Sequence, residues 1–320
     1  MLFWQDFVLF LSVIQSSALT KTGYKSIISG MKGIILTNAY SDNEQAKYQP
    51  ERLKEELGKL GAEVEIRRLI AFDCKIERGR NLTEIDGYDF CVFYDKDDHA
   101  LLQIEKSGVR CFNRFRAMVD CDDKMMTYIR LSDDGILMPK TFSAPLCYTK
   151  NARNGEEVYN RLEKELGFPI IVKECYGSLG KGVYLVKNIA ELRKIDERLM
   201  CIPHIYQEFV ASSYGKDLRV IVIGGKYLGA MKRTSNGDFR SNIASGGRGE
   251  KYDADEKTIK TAEKIAKILS LDYCGIDFLF SERGMVVCEV NSNAFFKEFE
   301  AVTGLNVARE YAKHIVRSIE

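Results

Sequence analysis

Residues 31–115 alternate between short apolar runs and amphipathic stretches. The apolar runs, rich in β-branched and aromatic residues, predict four strands at residues 33–37, 64–67, 90–94 and 109–113. Leucines at helical spacing predict a helix over residues 50–60 that ends before Gly61, and a second helix is expected near residues 98–107. Strands that alternate with helices are typical of a small parallel α/β sheet with helices on both faces. Because this region lacks a glycine-rich dinucleotide fingerprint, we assign it to substrate binding and support.

Beyond residue 122 helices and strands follow one another in a different order. Helical periodicity predicts helices at residues 123–133, 156–166, 190–199, 255–269 and 306–319. Gly224 and Gly225 separate two apolar runs, which is a hairpin signal. We therefore expect an α/β protein with α+β lobes. An N-terminal parallel domain would span residues 31–122, a small central lobe 123–203 and a C-terminal antiparallel-sheet lobe 204–320.

Residues 1–30 do not fit this pattern. The apolar stretch at residues 1–14 is interrupted by Gln5 and Asp6 and is too short to span a bilayer. It also lacks the basic segment that opens a signal peptide. Because a natural opening strand follows Met31, we expect residues 1–30 to be an extension outside the folded body. A weak export or anchor signal is the alternative.

The segment 274–293 contains the most informative chemistry. Two β-type runs flank a short turn, the first with Asp277 and the second with Glu289 and Asn291, which share a face because they lie two apart. A five-residue connection would set Asp277 opposite Glu289, whereas a four-residue connection would put Cys288 there. Two carboxylates and an amide oxygen suit Mg²⁺, with Mn²⁺ as an alternative. The competing interpretation is a hairpin with polar residues on its wet face, but acids inside apolar runs favour a metal site.

A lysine and a glycine-rich loop lie a hundred residues upstream. Residues 169–173 read as a strand carrying Lys173, which we expect to face solvent near the strand end. Gly177, Gly180 and Gly182 follow and would let backbone N–H groups approach a phosphate. A strand follows these glycines, so they form neither a P-loop nor a dinucleotide fingerprint. A glycine-rich hairpin turn with an exposed lysine is the equally weighted alternative.

Four arginines surround the hairpin and the polar stretch at residues 234–249: Arg219, Arg233, Arg240 and Arg248. Their planar guanidinium groups match phosphates and carboxylates, although any single one could belong to a solvated face. The net charge is only +1, which gives no reason to expect a nucleic-acid partner, and we expect no membrane partner. Nine scattered cysteines without a CxxC pair predict buried free thiols in a reducing compartment, hence a cytoplasmic protein.

Together these segments resemble the ATP-grasp superfamily, and within it the RimK-type α-L-glutamate ligases. The resemblance runs from about Met31 to the C-terminus. It rests on DKMMTYIRLSDDGILMPKT (123–141), FPIIVKECYGSLGKGV (168–183), QEFV (207–210), DLRV (217–220), GDFRSN (237–242), GIDFL (275–279) and EVN (289–291). One departure concerns the acceptor side, where many relatives have a Pro–Gly turn and this chain has residues 292–296, SNAFF.

The resemblance also implies roles for individual residues. It implies that ATP is bound by Lys124, Lys173, Gly177, Ser178, Gly180, Gly182, Gln207, Glu208, Phe209, Val210, Asp217, Arg219 and Ser241. The backbone of residues 208–210 would read the adenine edge, and Asp217 would lie near the ribose. Catalytic roles at the phosphate or acyl-phosphate site would fall to Arg240, Asn242 and Arg233. The metal ligands would be Asp277, Glu289 and Asn291.

The activity implied is ligation of a carboxylate to an amine through an acyl phosphate. By resemblance the amine is L-glutamate or another amino acid, and the carboxylate belongs to a small molecule or to a peptide or protein C-terminus. Two alternatives stay open: an ATP-grasp ligase that acts on an amino-group carrier protein or precursor peptide, and a non-catalytic nucleotide-binding module. Assembly into a homo-oligomer also stays open.

Overall fold

The computed structural model describes residues 30–149, 151–178, 180–241 and 247–320. The prediction about residues 1–30 therefore falls almost wholly outside the described residues. The chain divides into two compact units. One comprises the chain up to Phe112 together with Ala308–Glu320, and the other comprises Asn113–Val307. The three-lobe division predicted for residues 31–320 stays a prediction.

The first unit contains a four-stranded parallel sheet with the strand order β2-β1-β5-β6. Its elements are β1 (Lys32–Thr37), α1 (Glu44–Lys59), β2 (Glu63–Arg68), β3 (Cys74–Glu77), β4 (Arg80–Thr83), β5 (Phe90–Tyr94), α2 (Asp98–Lys106), β6 (Arg110–Phe112) and the final helix α9 (Val307–Ile319). The predicted parallel sheet is confirmed, whereas the β3–β4 hairpin was not predicted. Helix α1 begins six residues before the predicted start, because Asn43 caps it by accepting the Ala46 N–H at 2.8 Å and Pro50 lies inside it.

The second unit contains two antiparallel sheets, with strand orders β7-β10-β8-β9 and β13-β12-β11-β14-β15. Its elements are α3 (Phe115–Asp122), α4 (Lys124–Leu131), β7 (Thr141–Ser143), α5 (Glu156–Leu166), β8 (Ile170–Glu174), β9 (Val183–Val186), α6 (Ile189–Leu199), β10 (His204–Glu208), β11 (Lys216–Ile223), β12 (Lys226–Thr234), β13 (Arg248–Tyr252), α7 (Glu256–Ile268), β14 (Tyr273–Ser281), β15 (Gly284–Asn291) and α8 (Lys297–Thr303). The Gly224–Gly225 hairpin joins β11 to β12, as predicted.

The five-stranded sheet has one apolar and one polar face. Leu218, Val220 and Val222 of β11 are buried in a core that also takes in Ala262 and Ile265 of α7. Because side chains alternate along a strand, the intervening positions of β11 project from the opposite face. That opposite face carries charged residues on four adjacent strands, and it is where the candidate site lies.

Among the described residues, no helix is both long enough and apolar enough to cross a membrane. The cysteines predicted to be buried largely are: Cys91, Cys111 and Cys274 lie in strand interiors as free thiols, and Cys288 is half-buried. These positions fit thiols that pack as small apolar side chains.

Candidate active site

The β14–β15 hairpin pairs Asp277 with Glu289. The predicted pairing is thus confirmed, but the five-residue connection invoked for it is wrong. The strands close through the pair Ser281–Gly284, a register that on its own would set Cys288 opposite Asp277. A β-bulge between Asp277 and Phe278 absorbs Cys288 as an extra residue and moves Glu289 into place.

Asp277 is buried and surrounded by hydrogen-bond donors. Arg219 reaches both of its oxygens, with Nε at 2.5 Å and Nη2 at 2.7 Å, and Arg233 Nη2 lies 3.0 Å from Oδ2. The Asn291 amide nitrogen lies 3.4 Å from the same Oδ2. Burial by itself would raise the pKa of Asp277, but the two guanidinium groups outweigh it and hold that pKa below its usual value. Asp277 is therefore an ionised carboxylate at neutral pH.

The arginines belong to a continuous charged row across the sheet. Arg233 Nε donates to Asp217 Oδ1 at 2.7 Å, so Asp217 and Asp277 share this guanidinium group. Gly275 gives the Arg219 side chain its room, since a Cβ there would come within 3.0 Å of Arg219 Cδ. The resemblance assigned Asp217 to the ribose, Arg219 to ATP binding and Arg233 to catalysis. In the structure all three are engaged with one another or with Asp277.

Two lysines converge on the bulge from other elements. Lys173 is buried within β8, so the expectation that it faces solvent is wrong, and its Nζ lies 3.6 Å from Cys288 Sγ. Although burial alone lowers the pKa of Lys173, its acidic neighbours Cys288, Tyr128 and Glu289 raise it above the usual value, so Lys173 is a cation. Lys124, also buried, opens α4, and its Nζ lies 3.8 Å from Glu289 Oε1.

The glycine loop lies next to Lys124, whose Nζ donates to the carbonyl of Gly177 at 3.2 Å. Gly177, Gly180 and Gly182 all have positive φ, which explains why glycine occupies these positions. The exposed Ser178 accepts the Lys181 N–H through its carbonyl at 3.2 Å. Leu179 lies outside the described residues.

Arg240 approaches the same loop from the polar stretch after β12. Its Nη1 donates to the Gly180 carbonyl at 2.9 Å, and its Nη2 lies 2.7 Å from Asp238 Oδ2. Ser241 is buried beside it, whereas Asn242 lies outside the described residues. Arg248 is exposed at the start of β13, and among the described residues no hydrogen bond joins it to Arg240 or to the glycine loop.

The segment predicted to read adenine begins at the end of β10. Gln207 is buried, and its amide donates to the Tyr128 hydroxyl at 2.9 Å and to Thr141 Oγ1 at 2.8 Å. Glu208 Oε2 accepts from Arg283 Nη2 at 2.9 Å. The side chains of Gln207 and Glu208 are thus both hydrogen-bonded to other residues of the protein. Phe209 and Val210 follow immediately after the strand.

Sequence reasoning missed three residues that shape this site. Tyr128 donates to the Cys288 carbonyl at 2.7 Å and so contacts the bulge. Asn113 donates to the carbonyls of Tyr273 and Ser292 at 2.7 and 2.9 Å, fixing the chain just after Asn291. Tyr128 and Asn113 act through contacts with residues about 160 positions or more away, which no local pattern reveals. Cys288 was considered only as an alternative partner of Asp277.

Comparisons with known proteins agree with this arrangement. Residues 121–315 match the family described as the RimK-like ATP-grasp domain. Human N-acetylaspartylglutamate synthase A is 36% identical over 219 residues, which are 67% of this chain and 54% of that protein. A probable alpha-L-glutamate ligase of Maridesulfovibrio salexigens is 32% identical over 222 residues, covering 68% of this chain and 71% of that protein. The chain spans about half the length of the human relative.

Solved structures show the same fold. The ATP-grasp ligase PsnB complexed with a minimal precursor has a TM-score of 0.67 at 20% identity, covering 90% of this chain and 99% of that one. The D-alanine–D-alanine ligase of Bacillus anthracis complexed with ATP also has a TM-score of 0.67, at 16% identity, covering 90% of this chain and 97% of that one. At these identities the likeness concerns the fold alone. Because the family match extends over residues 121–315, well over half of the sequence, the chain belongs to the RimK-like ATP-grasp family.

Proposed function

We propose that this protein is an ATP-dependent carboxylate–amine ligase that works through an acyl phosphate and releases ADP. The observation that carries the proposal is the convergence of two buried lysines on the β15 bulge. Lys173 Nζ approaches Cys288 Sγ at 3.6 Å, and Lys124 Nζ approaches Glu289 Oε1 at 3.8 Å. Cations beside a pair of carboxylates suit a bound triphosphate and its counter-ion.

In this proposal Lys124 and Lys173 neutralise phosphate oxygens, and the glycine loop supplies backbone N–H donors. The backbone of residues 208–210 binds the adenine edge, while Arg240 and Ser241 lie beside the transferred phosphoryl group. The loop also excludes water, which would otherwise hydrolyse the acyl phosphate. Related structures support ATP and Mg²⁺ as ligands, since PsnB was solved with Mg and ADP and the B. anthracis enzyme with ATP.

The residues for a divalent cation are Asp277, Glu289 and Asn291. Their oxygens are hard donors, Asp277 and Glu289 are direct cross-strand neighbours, and the Asn291 amide lies 3.4 Å from Asp277. The donor set therefore fits Mg²⁺, which would offset phosphate charge when bound. Because Arg219 already reaches both Asp277 oxygens, this carboxylate is held in one orientation before any ligand arrives.

The chemistry proceeds in two displacements. A carboxylate oxygen attacks the γ-phosphorus of ATP, the bond to the β–γ bridging oxygen breaks, and ADP leaves. The amine nitrogen then attacks the acyl carbon, inorganic phosphate leaves, and the nitrogen loses a proton to give the amide. Positioning and charge neutralisation supply most of the catalysis in such a scheme.

The proposed amine is L-glutamate. Relatives named N-acetylaspartylglutamate synthase A, beta-citrylglutamate synthase B and probable alpha-L-glutamate ligase support this choice, because each name contains a glutamate unit. The proposed site of action is the cytoplasm, which the buried free thiols of Cys91 and Cys274 support.

The test is to incubate the protein with Mg-ATP, hydroxylamine and a panel of small carboxylic acids that includes N-acetylaspartate and citrate. The proposal expects ADP, phosphate and a hydroxamate of one acid, because hydroxylamine traps an acyl phosphate. AMP and pyrophosphate as the main products would overturn it, even if an amide were formed.

A further inference from the structure

The bulge in β15 decides which face of the sheet each residue of that strand occupies. Val287 and Val290 are both buried in the same core, although they lie three residues apart. A regular strand would send them to opposite faces, since side chains alternate with a period of two. Cys288 is therefore the inserted residue that lets Val290 return to the core and leaves Glu289 on the polar face opposite Asp277.

The backbone at the bulge is held from outside the sheet. The Tyr128 hydroxyl donates to the Cys288 carbonyl at 2.7 Å and lies 3.5 Å from the Val287 carbonyl. The same hydroxyl accepts from the Gln207 amide at 2.9 Å, which fixes the direction of its proton. A bulge disrupts the hydrogen-bond ladder locally, and a buried carbonyl without a donor is costly. The tyrosine supplies that donor.

Helix α4 brings two side chains to this place. Tyr128 and Lys124 are four residues apart and so lie on one face of the helix. Lys124 approaches Glu289 itself, at 3.8 Å, while Tyr128 holds the neighbouring carbonyl. Burial raises the pKa of Tyr128 to about 12, so the hydroxyl stays protonated around neutral pH.

We infer that Tyr128 is a positioning residue that holds the β15 bulge through the Cys288 carbonyl and thereby keeps Glu289 in place for a divalent cation. The inference rests on the proposed function, because it assumes that Glu289 is a metal ligand. It adds a residue that lies outside the proposed ligand set and acts through the Cys288 carbonyl. Groups that hydrogen-bond directly to metal ligands commonly change metal affinity by 10- to 100-fold. Tyr128 acts one residue before Glu289, so we expect a change near the lower limit.

The test compares Tyr128→Phe with Tyr206→Phe. Tyr128→Phe keeps the ring, which packs with Cys175 and Ile205, and deletes only the hydroxyl. Tyr206 is another buried tyrosine, and its hydroxyl donates to the Asp196 carboxylate at 3.0 Å and lies 2.9 Å from His204 Nε2. Its substitution therefore removes buried hydrogen bonds at least as strong as that of Tyr128, but away from the bulge. Mn²⁺ binding in the presence of ADP, followed by electron paramagnetic resonance, reports the metal site without turnover.

We expect Tyr128→Phe to weaken Mn²⁺ binding about tenfold and to raise the Mg²⁺ concentration for half-maximal ADP formation equally, with kcat at saturating Mg²⁺ nearly unchanged. Tyr206→Phe should leave both metal constants unchanged. Equal metal constants in Tyr128→Phe and the unmutated protein, or equal changes in both variants, would overturn the inference while leaving the proposed function intact.

If Tyr128→Phe does not fold, Gln207→Leu takes its place, because it removes the donor that orients the hydroxyl. Mn²⁺ binding is then measured without nucleotide, because Gln207 is also expected to bind ATP. A smaller weakening of Mn²⁺ binding is then expected, and no weakening would overturn the inference. If the unmutated protein neither binds Mn²⁺ nor forms ADP, the proposed function fails and this inference fails with it.

Discussion

Lys173 is a buried cation, and its burial changes how its role can be tested. Replacing it by alanine would open a cavity in β8, so a loss of activity could come from misfolding. We expect Lys173→Met, which retains most of the volume, to lower ADP formation by roughly a hundredfold, because the buried charge proposed to neutralise the phosphates is lost. The exposed Lys164 on α5 provides the control, since Lys164→Met should leave the rate of ADP formation unchanged. Undiminished turnover in Lys173→Met would make Lys173 a structural residue.

Asp217 and Arg233 form a buried ion pair that should matter for stability. Removing one partner strands the other charge in a site only a few per cent exposed. We expect Asp217→Asn to lower the free energy of unfolding by about 3 kcal/mol, measured by urea denaturation, with the remaining Asp277 contact limiting the loss. Glu250→Gln breaks the exposed pair with Lys232 and should cost little. Similar midpoints for the two variants would contradict this account.

At the level of single residues, the sequence indicated which side chains could bind a metal, but not which residues would contact them. Asp277, Glu289 and Asn291 could be selected because carboxylates and an amide oxygen interrupt apolar runs. Their environment could not be predicted, because the arginines that reach Asp277 come from β11 and β12, 58 positions away in the case of Arg219. For the same reason Lys173 was expected to face solvent, although β8 is covered on both sides.

At the level of elements, the glycine loop joins β8 to β9 and depends on backbone conformation. Gly182 has φ +71°, and a Cβ there would come within 2.8 Å of Glu174 Cδ. We expect Gly182→Ala to raise the KM for ATP several-fold, because the loop must move to relieve strain and contact. Gly79→Ala is the matched control, since Gly79 has φ +74° with nothing within 4 Å and lies in the β3–β4 turn of the other compact unit. An equal KM in both variants would count against a nucleotide-binding loop.

The strand register illustrates where prediction from sequence ends. The apolar runs and the short turn between them predicted the β14–β15 hairpin, yet two registers were compatible with the same letters. The turn closes with the pair Ser281–Gly284, as in the register that would set Cys288 opposite Asp277. Asp277 nevertheless pairs with Glu289, as in the other register, because the bulge at Cys288 shifts the pairing by one residue. Its tertiary support, the Tyr128 hydroxyl, lies 160 positions away in sequence. Periodicity reports on local backbone, so it cannot reveal a bulge stabilised by a distant side chain.

For the whole molecule, ligand binding should stabilise the folded state. A ligand at one hundred times its Kd adds about 2.7 kcal/mol to the free energy of unfolding. We expect Mg-ADP to raise the melting temperature of the unmutated protein by several degrees, and to raise that of Lys173→Met much less. Calorimetry with and without nucleotide measures both shifts. A nucleotide-binding module without activity would give the same shift, so the product assay has to accompany it. No shift at saturating Mg-ADP would contradict the nucleotide site.

The last prediction concerns the amine, which separates a ligase from a nucleotide hydrolase built on the same fold. Once the acyl phosphate exists, water and the amine compete for it, and only a bound amine is held in position for attack. We therefore expect ADP release with the preferred carboxylic acid to accelerate when L-glutamate is added, and mass spectrometry to find one amide per ADP. D-glutamate is the matched control, because it has the same charge and size but presents its amine differently. ADP release with a carrier protein or precursor peptide as the carboxylate, and with none of the small acids, would redirect the proposal to that acceptor class. If no amine accelerates ADP release and no amide forms, the proposed ligase activity is refuted, although the fold assignment still holds.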